Sequence, residues 1–252
     1  MLHGAGVKIA FGAIVLCVAA AIFPRPIIAQ ELTLDQIESL VRENSAFVQY
    51  RPEITSIVDQ FHALKADGLP SRLLDDVLRE GAAKRVPPSR LLAALQAAAS
   101  RIRTAAGILK DSQMWPESLT PQVVSLREEL VRRLCIVLQG GVSPLIVSTL
   151  MSSVTGGGAS PSAERALRLC ESLVAILQVA AVPGPDLLSM ATTLLSSRLP
   201  DASFQSLPAL FVRGRIYGLD ATTLAQTVTA IASRGGGIIL MDNEIRRIGG
   251  RR

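Results

Sequence analysis

The chain has 252 residues, 49% of them apolar but only 4% aromatic, and a formal net charge of +5. With so few rings the core has to be built from Leu, Ala, Val and Ile, which favours packed helices over a sandwich or barrel. Removal of residues 1–29 would take Lys8 and Arg25 away and leave +3, too small an excess to argue for nucleic acid as a partner.

In chain order, residues 1–8 hold one lysine, residues 9–23 are unbroken apolar, and residues 24–29 end in Ile-Ile-Ala before Gln30. That is the layout of a secretory signal peptide, with Ile27 and Ala29 at the −3 and −1 positions. The apolar run is shorter than the roughly 20 residues a spanning helix needs. The expected location is therefore the bacterial envelope, probed as periplasmic export with cleavage, against retention of the leader as an anchor. Cys17 lies within this leader, and Leu16 is too large for the small residue that precedes a lipidated cysteine.

From Leu32 onward almost every segment reads as helix. Thr33 with Gln36 forms a capping box ahead of Leu34, Ile37, Leu40 and Val41. Ile54, Ile57, Val58, Phe61 and Leu64 make the i, i+3, i+4, i+7 stripe of an amphipathic helix. Thr120-Pro121, Ser143-Pro144 and Ser160-Pro161 each place an N-cap hydroxyl before a proline suited to the first helical position. Asp220 caps a helix over 221–233. A degenerate repeat of helix pairs is expected at 70–85 with 88–109, 144–154 with 161–181, and 185–197 with 203–217. Units of roughly 40 residues built from two helices are a mark of α-solenoids. The fold class expected is all-α, an irregular α-solenoid or helical bundle of stacked helix pairs. Its segments are a signal peptide at 1–29, an N-terminal helical segment at 30–110, a linker at 111–120 that divides two sub-bundles, a helical-repeat segment at 121–237, and an apolar, arginine-rich tail at 238–252.

Within 68–109, Gly68-Leu69-Pro70, the Glu80-Gly81-Ala82-Ala83-Lys84 turn and Val86-Pro87-Pro88 resemble segments of uncharacterised exported bacterial proteins with α-helical repeats. The resemblance implies helical repeats and export. Those proteins carry no assigned activity, so it transfers no functional residue.

The sequence lacks the common catalytic patterns. Of the two histidines, His3 belongs to the leader and His62 lies beside the Phe61 stripe. There is no His-Glu-x-x-His, Gly-x-Ser-x-Gly or Ser-x-x-Lys, and no phosphate-binding loop ending in Lys-Ser or Lys-Thr. Cys135 and Cys170 lack Cys-x-x-Cys spacing, so no zinc site is expected. Gly156-Gly157-Gly158 reads as a connector and Gly235-Gly236-Gly237 as a helix stop. Glu117-Ser118 with Pro121 faintly resembles the start of a lytic transglycosylase site. Its proline comes one place early, and the Gly-Leu-Met-Gln element is missing. Asp75-Asp76 and Glu128-Glu129 are adjacent pairs whose members point about 100° apart around a helix.

Two features stay open. Cys135 and Cys170 either bridge neighbouring helices or pack as two separate apolar thiols. Lys84, Arg85, Arg90, Arg101, Arg103 and Lys110 are read as a solvated face. Arg246, Arg247, Arg251 and Arg252 follow an apolar run and suit an anionic membrane surface, unless that end is simply disordered. No cofactor is expected. The reading from sequence is a non-catalytic binding or scaffold module with a protein partner in the envelope. Its alternatives are a membrane-associated structural protein held by the leader or basic tail, and a cell-wall-acting enzyme. The oligomeric state is not legible.

Overall fold

A computed structural model describes residues 33–118, 120–154 and 162–250. The leader at 1–29 with Cys17, the Gly156-Gly157-Gly158 connector, and Arg251 and Arg252 lie outside the described residues. Among the described residues the fold is all-α, with eleven α-helices, two 3₁₀ stretches and no strand.

The Thr33–Gln36 capping box forms: Gln36 N–H donates to Thr33 Oγ1 at 3.2 Å, and Thr33 N–H donates to Gln36 Oε1 at 2.8 Å. It starts α1 (Leu34–Glu43), which buries Ile37 and Val41. The Asn44 side chain then accepts from Ala46 N–H and opens a 3₁₀ stretch, Ser45–Glu53, that the sequence pattern does not announce. Its Tyr50 is fully buried, with its hydroxyl 2.7 Å from the Val86 carbonyl oxygen and 3.0 Å from that of Gly81. Next, α2 (Ile54–Ala66) buries Ile57, Phe61 and Leu64, as the stripe requires. Tyr50→Phe keeps the ring and removes the hydroxyl. We expect it to destabilise the fold by about 1 kcal/mol, the net value of one buried hydrogen bond, as read from a urea denaturation midpoint.

The helices that follow are α3 (Arg72–Ala83), α4 (Pro88–Asp111), α5 (Pro121–Gln139), α6 (Pro144–Ser152), α7 (Ala163–Val179), α8 (Gly184–Ser196), α9 (Leu207–Ile216), α10 (Ala221–Ser233) and α11 (Ile238–Gly249). A second 3₁₀ stretch, Asp201–Ser206, leads into α9.

Three of the helix stops combine a left-handed glycine with a buried aliphatic residue after it. Gly68, Gly141 and Gly218 have φ of 68°, 92° and 75°, the left-handed region that glycine enters without steric cost. The next residue, Leu69, Val142 or Leu219, is buried. Its N–H reaches back to the carbonyl of Leu64, Val137 or Gly214 at 2.9, 3.4 and 3.0 Å. This is the six-to-one closure of a Schellman stop. Each stop joins the first two helices of a three-helix unit: α2–α3–α4, α5–α6–α7 and α9–α10–α11. In every unit the first and second helices both pack on the third.

The first and last units are in register at an offset of 150, the interval from Gly68 to Gly218. Phe61 matches Phe211, Leu74 matches Leu224, Leu78 matches Val228, Leu91 matches Met241 and Leu95 matches Ile245, and all ten are buried. Their third helices start at equivalent positions, Pro88 and Ile238. Both have a left-handed residue before that helix, Arg85 and Gly235.

The pairing read from sequence therefore needs correction. Its first two copies are the second and third helices of the first two units. The third copy, 185–197 with 203–217, spans α8 and α9, and the equivalent pair is α10 with α11. Helix spacing alone does not separate the two pairings, and the stretch from 203 begins as a 3₁₀ turn before α9 starts at Leu207.

Units stack through their third helices and, between the second and third units, also through α8, which packs on α6 and α10. α4 packs on α5 and α6, and α7 packs on α8, α9 and the second 3₁₀ stretch. The 111–120 segment is thus a connection between packed helices and does not divide two sub-bundles. Trp115 there lies against the core, beneath the cations of Lys110 and Arg127 at 5.2 and 5.0 Å from its ring centre. Two further starts and ends differ from expectation. Helix α7 is capped by Ser162, whose Oγ accepts Arg165 N–H at 3.1 Å, and so begins two residues beyond Pro161. Residues 238–249 form α11, with Met241 and Ile245 buried, where the sequence was read as a tail.

Candidate functional site

The candidate polar groups are not gathered at one place. His62 and Glu117 are exposed on separate elements. Asp75 is bound to Arg79, Glu128 faces Arg72 at 3.6 Å and Glu129 faces Arg132 at 2.5 Å. In the basic group near α4, Lys84 pairs with Glu80, Arg103 pairs with Asp67 at 2.9 Å, and Lys110 covers Trp115. No group of three His, Cys, Asp or Glu suited to a metal occurs among the described residues. Among them too, every buried side-chain nitrogen or oxygen has a hydrogen-bond partner. One open depression of about 370 Å³ is lined by Asp35, Gln36, Ser39, Leu40 and Arg79. Its one cation is already held by Asp75, which leaves little to grip a ligand.

The densest polar arrangements join neighbouring helices. Arg133 on α5 donates to Glu171 at 2.6 Å and to Glu164 at 2.8 Å, both on α7, and Arg168 also donates to Glu164 at 2.8 Å. The hydrogen bond from Arg133, then that from Arg168, holds the Glu164 carboxyl below the ordinary glutamate range. The bond to Glu171 raises Arg133 further into its charged form. These are struts between α5 and α7 at the surface of the helix pair.

The last unit is different in its surface. Residues 207–252 carry seven arginines, no lysine and three carboxylates, a net of +4. Residues 33–206 carry 17 cationic and 17 acidic side chains, a net of zero. On α11, Arg246 pairs with Asp242 at 2.9 Å and Arg247 with Glu244, while Arg213 of α9 also pairs with Asp242. The same unit exposes apolar residues: Val212 and Ile216 on α9, Tyr217 at its C-cap, and Ile239 and Leu240 in the first turn of α11. Ile216 and Ile239 expose 76% and 77% of their surface. Helices α9 and α11 lie against each other, with Tyr217 closing on Gly249, where an added Cβ would come within 2.4 Å of the Tyr217 Cβ.

The sequence reading located Arg246 and Arg247 but not Val212, Ile216 or Tyr217. A stripe reading assigns aliphatic residues on a helix to the core, and only the packing of α9 reveals that these face out.

Cys135 on α5 is half-buried and Cys170 on α7 is buried, and both stand as free thiols in this structure. Burial pushes Cys135 up to about 11 and Cys170 up to about 12. Thiolate is the reactive form, so the native protein at pH 8 should react with a thiol reagent at least about 100-fold more slowly than the unfolded chain. Because the folded-state values are raised, their contribution to stability is full below about pH 8.5, the ordinary thiol value. It is lost as the pH climbs toward 11 and beyond. Thermal midpoints taken from pH 8 to 11 should fall with pH, and less steeply in a Cys135→Ala, Cys170→Ala chain.

No family model matches the chain, no curated protein matches it in sequence, and no solved structure matches it in fold.

Proposed function

We propose that this is an exported protein of a bacterial envelope that acts as a non-catalytic binding or scaffold module built from helical units. The observation that carries the reading is the internal repetition. Three units stop their first helix with the same left-handed glycine and buried aliphatic residue, and they stack by their third helices. Such stacking makes an extended surface on which neighbouring helices present their outer faces side by side. The polar groups support the same reading. Within the described residues every buried polar side-chain atom has a partner, and Glu117 and His62 stand apart on exposed elements.

Export is tested by the intact mass of the protein recovered from fractionated source cells without reducing agent. A soluble species beginning at Gln30 supports the reading, and a full-length species in the cytosol refutes export. Absence of catalysis is tested by incubating the purified protein with cell-wall glycan and with generic ester substrates. Turnover that is lost in Glu117→Gln would replace the scaffold with an enzyme.

A further inference from the structure

The exposed apolar residues of the last unit have no role in folding that the first unit shares. The 150-residue register sets Val212, Ile216, Tyr217, Ile239 and Leu240 at the backbone positions of His62, Ala66, Asp67, Ser89 and Arg90. All ten side chains are exposed. The same three-helix arrangement thus forms with small, polar or charged residues at these places. Four solvated aliphatic side chains, two of them with three-quarters of their surface in water, are a cost that the fold does not require, while Tyr217 also packs on Gly249.

Their surroundings point to what they meet. Residues 33–206 are neutral overall, so the net charge of +2 over residues 33–250 lies within 207–250, and its cations are all arginine. On α11, Ile239 and Leu240 in the first turn and Arg246 and Arg247 in the last are all exposed. Aliphatic side chains that enter the boundary between head groups and acyl chains, with arginines beside them, form an interfacial contact with an anionic bilayer. No helix among the described residues is long and apolar enough to cross a membrane, so this contact lies on the surface. A symmetric pairing of two copies through the same face would set like charge against like, because residues 207–250 carry five arginines and three carboxylates.

We infer that the outer face of α9 and α11 is a docking surface for an anionic lipid bilayer. Val212, Ile216, Tyr217, Ile239 and Leu240 supply the apolar contact, and the arginines of this unit supply the attraction. The inference rests on the scaffold reading and names one surface that the scaffold holds.

The test uses the chain from Gln30 onward, which keeps the whole described core, and sedimentation with vesicles. One set is an equal mixture of phosphatidylglycerol and phosphatidylcholine, and the other is phosphatidylcholine alone. The parent should partition at least about tenfold better onto the anionic set and lose that advantage in high salt. The key variant, Val212→His, Ile216→Ala, Tyr217→Asp, Ile239→Ser and Leu240→Arg together, installs residues that the first unit already displays. It leaves the net charge unchanged at neutral histidine and should bind at least about tenfold more weakly. Arg246→Gln with Arg247→Gln should weaken binding by about two- to fivefold per arginine. Circular dichroism confirms that each variant is folded, and if the fivefold variant is not, Ile216→Ala with Ile239→Ser takes its place.

A parent that fails to sediment with anionic vesicles overturns the inference, as does one that binds both vesicle sets equally. Binding unchanged in the apolar variants overturns it too. A parent that ignores vesicles but dimerises, with the dimer lost in the same variants, assigns the face to a second copy. Binding only to an acidic protein, such as a purified polyglutamate carrier, assigns it to a protein partner. None of these outcomes touches the export and turnover measurements, so the scaffold reading is judged separately.

Discussion

Replacing Arg165 by leucine is expected to destabilise the protein by about 3–5 kcal/mol, as for other hydrogen-bonded buried cations whose partners are stranded. Arg165 rises from the first turn of α7 and is only 11% exposed. Its Nε donates to the Leu195 carbonyl at 2.9 Å and its Nη1 to that of Leu199 at 2.6 Å. Its Nη2 donates to the Leu194 and Ser197 carbonyls at 3.0 and 2.8 Å. The guanidinium also pairs with Asp201 and lies 4.7 Å from the centre of the buried Phe204 ring. The last carbonyls of a helix have no partner within it. Here one fork serves the end of α8 and the bend that follows. Leucine would fill part of the volume and leave those oxygens and Asp201 facing an apolar side chain. Arg165→Lys should recover less than half of the loss, because a single ammonium cannot reach partners on several sides of a planar fork. Urea denaturation of both variants checks this, and a loss below about 1 kcal/mol for the leucine variant would remove the clasp from the account.

Phe211→Ala should cost a similar amount, about 3–5 kcal/mol, by opening a cavity in a fully buried site of α9. Its repeat equivalent, Phe61→Ala in α2, removes the same ring from the first unit, and the two differ in where the damage is felt. When units stack mainly on their neighbours, a lesion weakens its own unit most. Amide exchange in Phe211→Ala should therefore accelerate across α9, α10 and α11 before α2, α3 and α4, and Phe61→Ala should reverse the order. Equal acceleration throughout both variants would mean that the core responds as one body.

Local chemistry made much of this fold legible. Thr33 and Gln36, Ser143, and Asp220 sit at helix starts with the side-chain caps expected of them. Gly235 ends α10 in a left-handed conformation, as a glycine cluster there implies. What failed to be legible depended on choices between equal local signals. Ser160-Pro161 and Ser162-Ala163 both offer a cap, and the second is used. At Thr120 the backbone position is right, but the hydroxyl makes no cap bond. The apolar run at 238–240 hid the Met241, Ile245, Ile248 stripe that makes α11 a helix against α9 and α10. The repeat was read from the spacing of helix pairs, and it resides in a glycine followed by a buried aliphatic residue. The docking face was half legible for a related reason: charge is visible in a sequence, whereas the exposure of Val212 or Ile216 is decided by helices elsewhere.

The three-helix units also set an order of events for the growing chain. The first runs from Ile54 to Asp111 and the second from Pro121 to Val179, so the principal contacts of each close within about 60 residues. Helical proteins with such local contacts form in microseconds to milliseconds, whereas a ribosome takes several seconds to add that much chain. The N-terminal unit can thus be complete before α9 exists. Each newly emerged first helix then finds the third helix of its predecessor already in place as a template, so the strand of polypeptide matures from one end to the other.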